Sequence, residues 1–325
     1  MSFARLQEKI DALKNPTVAG LDPDLEHIPP QVLEKYYKEH GETLEAASMA
    51  VMEFNCGLID ALSDIVPAVK PQSAYYEILG PYGVMALHKT CEYAKSKGMY
   101  VIVDGKRNDI GSTASAYSTA YLGAVKIGST EYKPFDVDAL TVNAYLGSDG
   151  IKPFIETAVK YDKAVFALVK TSNPSAGELQ DKLIGNGAQG DGSPVLSEKS
   201  TGEPSPCALY TAVGDLMEEI SKETIDKNGY SCVGAVVGAT YPEEAKLLRE
   251  RLKHTFFLVP GYGAQGGSAE TAANTFDKNG KGAIVNSSRA IIAAWKKTGG
   301  DYKAAAREEA LKMRDELRKV VKNST

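Results

Sequence analysis

The sequence has 325 residues, 43% of them hydrophobic, and a formal net charge of −5, values typical of a soluble globular protein that buries a large core. Its lysines and arginines are spread along the chain, which argues against a basic nucleic-acid groove. Since no apolar run approaches the ~18 residues that a membrane span needs, we expect neither a nucleic acid nor a membrane as a partner.

The first fifteen residues predict an amphipathic helix rather than a signal peptide. Phe3, Leu6, Ile10 and Leu13 recur at helical spacing among charged side chains. The four cysteines are far apart and form no CxxC pair, which favours a reducing compartment over a disulfide scaffold or a zinc site. We therefore expect a cytoplasmic protein.

Short apolar, β-branched runs alternate with longer stretches of helical character along the whole chain. This alternation predicts a parallel sheet with crossover helices, and eight such runs favour a closed (β/α)8 barrel, or TIM barrel, in a single domain over residues 1–325. A doubly wound open sheet uses the same alternation and remains the alternative. The predicted strands are residues 17–22, 68–72, 100–106, 139–143, 164–172, 232–239, 256–261 and 282–289.

One long segment, residues 173–206, interrupts this alternation. Gly, Pro, Ser, Asn and Asp dominate it, and no apolar period is visible. Loops of this length in a compact domain are usually functional or disordered, and this one follows the fifth strand, on the side where barrels build active sites. We therefore predict a mobile lid rather than a domain linker.

Charged residues stand at the ends of the first three predicted strands. Strand alternation places Asp104 and Lys106 on one face, and Lys70 lies in a run so apolar that its charge needs a carboxylate partner. A structural salt bridge between Lys70 and Asp104 explains these two residues equally well. Asp22 precedes a proline that ends the first strand at the rim, where helix capping or turn formation is the alternative role.

Features typical of a phosphate site follow the seventh and eighth strands. The glycine-rich residues 259–267 allow close approach of backbone N–H groups to an anion, and Arg289 offers a forked donor pair. Barrels commonly bind phosphate at these two loops. The histidines lie away from the strand ends, and no His, Cys or acidic cluster has metal-ligand spacing, so we expect no metal.

Residues 104–113, DGKRNDIGST, resemble the D-x-K-x-x-D-I-G-x-T signature of the orotidine 5'-phosphate decarboxylases. Residues 21–22, 69–72, 260–267 and 288–289 extend the likeness to the longer bacterial and protozoal branch of that family. With Ser172 at the end of the fifth strand, the matching residues fall on six of the eight predicted strand ends, so the resemblance spans nearly the whole chain.

The resemblance implies a metal-free and cofactor-free decarboxylation of orotidine 5'-phosphate to UMP, the last step of de novo pyrimidine nucleotide synthesis. It implies that the Lys106 ammonium stabilises a carbanion at C6 of the pyrimidine and then protonates it. Asp104 would lie near the departing carboxylate. Lys70 and Asp109 would complete an alternating charged array, with Asp109 reaching into the neighbouring site of a homodimer.

Further contacts are implied for the ribose, the ring and the phosphate. Where family members often have Asn, this chain has Gln72, so the contact of that residue is open. The implied residues are Asp22 and Lys70 at the ribose; Ile110 and Thr113 from the partner subunit; Ser172 at the pyrimidine amide; Gln265, Gly266, Ser288 and Arg289 at the phosphate; and Gln72, Asn143, Thr171, Pro260 and Asn286 as neighbours of the substrate.

Two other functions remain open at the level of sequence. One is a magnesium-dependent sugar-phosphate decarboxylase or aldolase that uses a similar D-x-K strand. The other is a nucleotide-binding protein that keeps the phosphate grip without the chemistry. The intact charged array argues against the second.

Overall fold

The computed structural model describes residues 2–184, 207–263 and 266–321. Within them eight parallel strands close into a barrel, so the (β/α)8 prediction is confirmed and the open sheet is wrong. All eight predicted strands are present to within two residues at each end. They are β1 (Thr17–Leu21), β2 (Ala68–Pro71), β3 (Tyr100–Arg107), β6 (Ala139–Val142), β7 (Ala164–Lys170), β10 (Val233–Val237), β11 (Phe257–Val259) and β12 (Ala283–Ser287). Around the barrel they are neighbours in the order β1-β12-β11-β10-β7-β6-β3-β2.

Two short antiparallel hairpins lie outside the barrel and were not predicted. One pairs β4 (Val125–Ile127) with β5 (Thr130–Tyr132), and the other pairs β8 (Leu183–Ile184) with β9 (Cys207–Ala208). Strands of two or three residues are too short to show an alternation in sequence.

Helices pack around the barrel and bury an apolar layer against it. The longest of the described helices, α13 (Tyr302–Val321), places Ala306, Ala310, Met313 and Leu317 on its buried face. The described helices are α1 (Ser2–Leu13), α2 (Pro30–His40), α3 (Leu44–Leu62), α4 (Ala74–Glu77), α5 (Gly80–Ser96), α6 (Gly111–Leu122), α7 (Lys152–Tyr161), α8 (Leu209–Ser221), α9 (Pro242–Arg251), α10 (Ala269–Ala273), α11 (Arg289–Ile292), α12 (Trp295–Thr298) and α13 (Tyr302–Val321).

The N-terminal helix α1 closes the amino end of the barrel. Its predicted apolar residues Phe3, Leu6 and Ile10 are buried in one cluster with side chains of the barrel interior. The Phe3 ring lies 5.1 Å from that of Phe256 and 4.9 Å from that of Phe166. The interior is therefore filled from the amino end, and the cavity lies toward the carboxyl ends of the strands.

The segment predicted as a lid is described only in part. Residues Pro174–Glu178 form a 3-10 helix, and Leu183–Ile184 form β8. Residues 185–206 lie outside the described part of the chain. The lid and the single-domain organisation therefore stay predictions.

Candidate active site

The side chains at the carboxyl end of the barrel surround a cavity of about 470 Å³, within the ~300–1,000 Å³ usual for small-molecule sites. Strand alternation determines its floor. Val18, Ala68, Ile102 and Ile284 are buried in the barrel interior, and side chains two residues further along a strand lie on the same face. Along each of these strands, the inward-facing side chain is therefore apolar in the barrel interior, and an inward-facing position further along the chain lies at the cavity. Eleven predicted site residues line it: Asp22, Lys70, Gln72, Asp104, Lys106, Thr171, Ser172, Pro260, Asn286, Ser288 and Arg289.

Three charged side chains form a connected array on this floor. The Lys70 ammonium donates to Asp104 Oδ2 at 2.8 Å, and the Lys106 ammonium donates to Asp104 Oδ1 at 2.6 Å. Thr141, from the neighbouring strand β6, donates to the same Oδ1 at 2.8 Å. The predicted convergence of the three charges is confirmed, and the salt bridge between Lys70 and Asp104 extends to a second lysine that faces the cavity.

Electrostatics keep the buried pair of this array charged. Burial alone would raise the pKa of Asp104, but the charges of Lys70 and Lys106 outweigh it and hold that pKa well below its ordinary value. Burial lowers the pKa of Lys70, but Asp104 and Asp22 more than offset this and raise it. Asp104 is therefore a carboxylate, and Lys70 an ammonium, at neutral pH.

An irregularity in β3 brings Lys106 to the cavity. Val103 pairs with Leu140 and Arg107 with Val142, so three residues of β3 stand opposite Thr141 alone. Lys106 takes a left-handed conformation, with φ of 46°, and its backbone N–H donates to Thr141 Oγ1 at 2.9 Å. The predicted position is correct, but regular alternation is not its cause, because the strand bulges between the two charged residues.

Tight backbone packing fixes the predicted phosphate side. Ser288 donates to the Gly20 carbonyl at 3.2 Å, and a Cβ built on Gly20 would lie 2.6 Å from Ser288 Cβ. Gly266 and Gly267 are held in a turn by the bond from Gly266 N to Gly263 O, 2.9 Å, and the bond from Gly267 N to Gly261 O, 3.0 Å. Gly266 itself does not line the cavity, and Gln265 lies outside the described residues.

On the β7 side the wall contains two polar residues that the sequence analysis missed. Gln180 and Asn173 line the cavity beside Thr171 and Ser172. A Cβ built on Gly238 would lie 2.9 Å from Ser172 Cα, so this glycine lets β10 approach the wall closely. Both missed residues lie in the segment predicted as a lid, where no motif distinguished them.

Several buried polar atoms at the cavity have no hydrogen-bond partner among the described residues. They are Asp22 Oδ1, His27 Nδ1 and Asn286 Oδ1. Buried polar atoms are usually satisfied, so their position at a cavity indicates that a ligand or solvent completes them. His27 was not predicted, because no motif and no metal-ligand spacing marks it in the sequence, although it lies in the loop after the first strand, where barrel sites are built.

Four other predicted residues lie away from the cavity of their own chain. Asp109, Ile110 and Thr113 stand at the start of α6, and Asn143 accepts a hydrogen bond from Tyr145 N at 3.0 Å. For Asn143 this is a turn contact, and within one chain it does not support a substrate contact. The first three were expected to serve the partner's site, and that role stays a prediction.

Residues 2–184, 207–263 and 266–321 contain neither a metal-binding cluster nor a helix that could cross a membrane. No group of three or more His, Cys, Asp or Glu side chains there is arranged to hold a metal ion. None of the helices described is both long and apolar enough to cross a membrane.

Comparison with known proteins places the chain in a family. A model described as "Orotidine 5'-phosphate decarboxylase / HUMPS family" matches residues 42–305. The chain is 40% identical to the orotidine 5'-phosphate decarboxylase of Rhodopirellula baltica, over 98% of this chain and 99% of that protein. It is 42% identical to that of Caldicellulosiruptor bescii, over 90% of this chain and 89% of the other.

Among solved structures, the chain is similar to the OMP decarboxylase of Leishmania donovani, with a TM-score of 0.69 and 28% identity over 98% of both chains. The signature at residues 104–113 and the match to the family model thus agree. The chain belongs to the orotidine 5'-phosphate decarboxylase / HUMPS family.

Proposed function

We propose that the protein decarboxylates orotidine 5'-phosphate to UMP, the last step of de novo pyrimidine nucleotide synthesis. The observation that carries the proposal is the Lys70–Asp104–Lys106 array on the floor of the cavity, in a chain whose relatives carry the name of that enzyme. Fixed charge beside the reacting carbon is what this reaction needs, because electrostatic preorganisation is usually the largest catalytic contribution.

Lys106 is the central group of the proposed mechanism. The bond between C6 and the carboxylate breaks, carbon dioxide leaves, and the electron pair remains on C6. The Lys106 ammonium stabilises this developing charge and then donates one proton to C6, after which the amine regains a proton from solvent. Its side chain is 46% exposed at the cavity, so the amine can reach both the substrate and solvent.

Asp104 and Lys70 hold Lys106 and complete the charge pattern. With its two oxygens bound by Lys70, Lys106 and Thr141, Asp104 fixes the Lys106 ammonium in one direction. The substrate carboxylate binds beside Asp104. Asp22, whose Oδ1 is buried and unpartnered among the described residues, accepts a hydrogen bond from a ribose hydroxyl, and the Lys70 ammonium donates to a ribose hydroxyl.

The phosphate and the ring bind at opposite walls of the cavity. Arg289 and Ser288 bind the phosphate, with Gly266 and Gln265 of the adjoining turn, and Pro260 and Asn286 flank the nucleotide. Ser172 binds the pyrimidine amide, with Gln72 and Thr171 as neighbours. Because the phosphate lies far from C6, its binding energy can hold the nucleotide in the reactive position and so lower the barrier.

The active enzyme is a homodimer in this proposal. Asp109, Ile110 and Thr113 belong to the partner's cavity, with Asp109 as the last charge of the array. Two features support this. The three residues lie outside their own cavity, and Ile110 is 55% exposed although it is apolar.

Two measurements on the purified protein test the proposal. We expect loss of orotidine 5'-phosphate and formation of UMP without added cofactor and in the presence of EDTA. Activity that EDTA abolishes and magnesium restores would instead favour a metal-dependent sugar-phosphate lyase of the same fold.

The second measurement is on Lys106→Ala. Turnover should fall by about 1,000-fold or more, since both charge stabilisation and proton transfer are lost, while UMP still binds. The matched control is Lys312→Ala, which removes an exposed lysine of α13 and should leave turnover unchanged. Wild-type turnover in Lys106→Ala would contradict the mechanism.

A further inference from the structure

Gln180, the missed residue of the β7 wall, makes two hydrogen bonds to a single neighbour. Its Oε1 accepts from the backbone N–H of Thr171 at 2.9 Å, and its Nε2 donates to Thr171 Oγ1 at 2.7 Å. The Thr171 hydroxyl in turn donates to Asn173 Oδ1 at 2.7 Å. All three residues line the cavity, and we call this chain of bonds the Gln180 relay.

The direction of the Gln180 relay is fixed by chemistry. A backbone N–H can only donate, so the oxygen of the Gln180 amide must face Thr171 N and its nitrogen must face the hydroxyl. That hydroxyl accepts a hydrogen bond from Gln180, and its own O–H donates a hydrogen bond to another acceptor. The Asn173 oxygen therefore faces Thr171, and the NH2 group of the Asn173 amide is left to donate.

Neighbouring contacts hold Gln180 in this position. Its backbone carbonyl accepts from Tyr210 N at 3.0 Å. The next residue, Asp181, forms an ion pair with Lys170, which is fully buried and lies 4.3 Å from the centre of the Tyr241 ring. Because a buried ammonium without its carboxylate is costly, this ion pair resists movement of Gln180.

We propose that the Gln180 relay makes the β7 wall a hydrogen-bond donor at Asn173 and thereby selects pyrimidine nucleotides with a keto oxygen at C4 over those with an amino group at C4. A keto oxygen accepts from the Asn173 amide, whereas an amino group meets a second donor. The inference rests on the proposed function for its ligand class, and it adds Gln180 as a positioning residue and Asn173 as the residue that touches the ring.

The test compares the dissociation constants of UMP and CMP by calorimetry for the wild type, Gln180→Glu and Asn173→Asp. A glutamate at 180 accepts from both Thr171 N and the Thr171 hydroxyl, so the hydroxyl no longer holds Asn173 Oδ1. We expect the wild type to prefer UMP, and the CMP-to-UMP ratio of dissociation constants to fall roughly tenfold in both variants, the scale of one mismatched hydrogen bond.

The ratio separates selection from general damage. Added negative charge repels the phosphate of both nucleotides, so it cancels in the ratio. Leu179→Glu places the same charge one residue away, on a side chain that is 52% exposed and outside the cavity, and its ratio should equal that of the wild type. Asn173 is exposed, so Asn173→Asp leaves the fold intact even if Gln180→Glu does not.

Equal weakening of both nucleotides in the two relay variants would overturn the inference, as would a wild type that binds UMP and CMP alike. Assay of orotidine 5'-phosphate turnover separates this result from the proposed function. If the wild type is active but the CMP-to-UMP ratio is unchanged in the Gln180 and Asn173 variants, only the Gln180 relay is wrong. If the wild type is inactive but the CMP-to-UMP ratio falls in both variants, the proposed function is wrong and the Gln180 relay is supported.

Discussion

Lys70 is 4% exposed, and Asp104 is the carboxylate that lies within hydrogen-bond distance of its ammonium. A buried ion pair adds little net stability, because desolvation offsets the attraction between its charges, but removal of one partner leaves the other buried and uncompensated. The array that is proposed to carry the chemistry is therefore also a point on which folding depends.

Asp104→Asn should lower the free energy of unfolding by about 3 kcal/mol, because the Lys70 charge loses its nearest counter-charge inside the barrel. Urea denaturation measures the change. The matched control is Asp64→Asn, which removes the carboxylate of an exposed ion pair with Arg307 and should cost less than about 1 kcal/mol. Equal losses in the two variants would show that burial of the array is not what matters.

The pH dependence of this difference has a definite sign. The pKa of Asp104 is lowered in the fold, so its contribution is present above the unfolded value of about 3.9 and is lost as pH falls toward the lower folded value. The pKa of Lys70 is raised, so its contribution is present below about 10.4 and is lost as pH rises beyond that. The wild type should therefore have a higher free energy of unfolding than Asp104→Asn from about pH 4 to pH 10. This difference should disappear in stronger acid.

At the scale of whole elements, strand alternation predicted much of the site. Bulges in β3 and β7 explain the positions that alternation does not give. Alternation alone puts Lys70, Asp104 and Asn286 on the barrel floor. On β7, however, the register shifts between Leu168 and Lys170. As a result Lys170 packs outside the barrel, near rings of α8 and the α9 start, and Thr171 takes the wall position. A bulge has no periodic signal in a sequence.

The residues contributed by loops were harder to predict than those on strands. Gln180 and Asn173 reach the cavity only because the chain after β7 folds back through a 3-10 helix. His27 does so from the 3-10 turn Leu25–His27 after β1. Their positions depend on tertiary contacts such as the ion pair of Asp181 with Lys170, and no local pattern encodes these.

The crossing of β1 with the segment after β12 gives a test at this scale. In Gly20→Ala the new Cβ would lie 2.6 Å from Ser288 Cβ and 3.0 Å from its Cα, so backbone must move. We expect the displaced Ser288 and Arg289 to weaken UMP binding about tenfold, with a loss of roughly 1–3 kcal/mol in stability. Calorimetry and urea denaturation measure the two effects.

Gly214→Ala is the matched control for Gly20→Ala. Its Cβ would lie 3.1 Å from Leu252 Cδ1, the end of a flexible side chain far from the cavity. It should cost less stability and leave UMP affinity unchanged. UMP affinity that is also unchanged in Gly20→Ala would mean that the Ser288 contact does not position the phosphate side.

At the scale of the whole molecule, the surface around Asp109 exposes apolar side chains. Ile110, Tyr145 and Leu146 are apolar and exposed, at 55%, 77% and 48%. The segments that carry these residues meet at Gly150. A Cβ built there would lie 2.6 Å from Asn108 Oδ1, 3.2 Å from Leu146 Cβ and 3.4 Å from Asp109 O. Contiguous exposed apolar surface often marks an interface, and here it adjoins a carboxylate that the cavity of its own chain does not use.

Mixing two inactive variants tests whether a second copy supplies that carboxylate. If Asp109 serves the partner's cavity, a hybrid of Lys106→Ala and Asp109→Ala chains contains one site that keeps both residues. Mixed chains should then regain up to about a quarter of wild-type turnover, since random pairing makes about half of the dimers hybrid and one of their two sites intact. The measurement is turnover of orotidine 5'-phosphate after subunit exchange, which differently tagged chains verify. If exchange occurs and activity stays at the level of the separate variants, Asp109 acts within its own subunit or not at all.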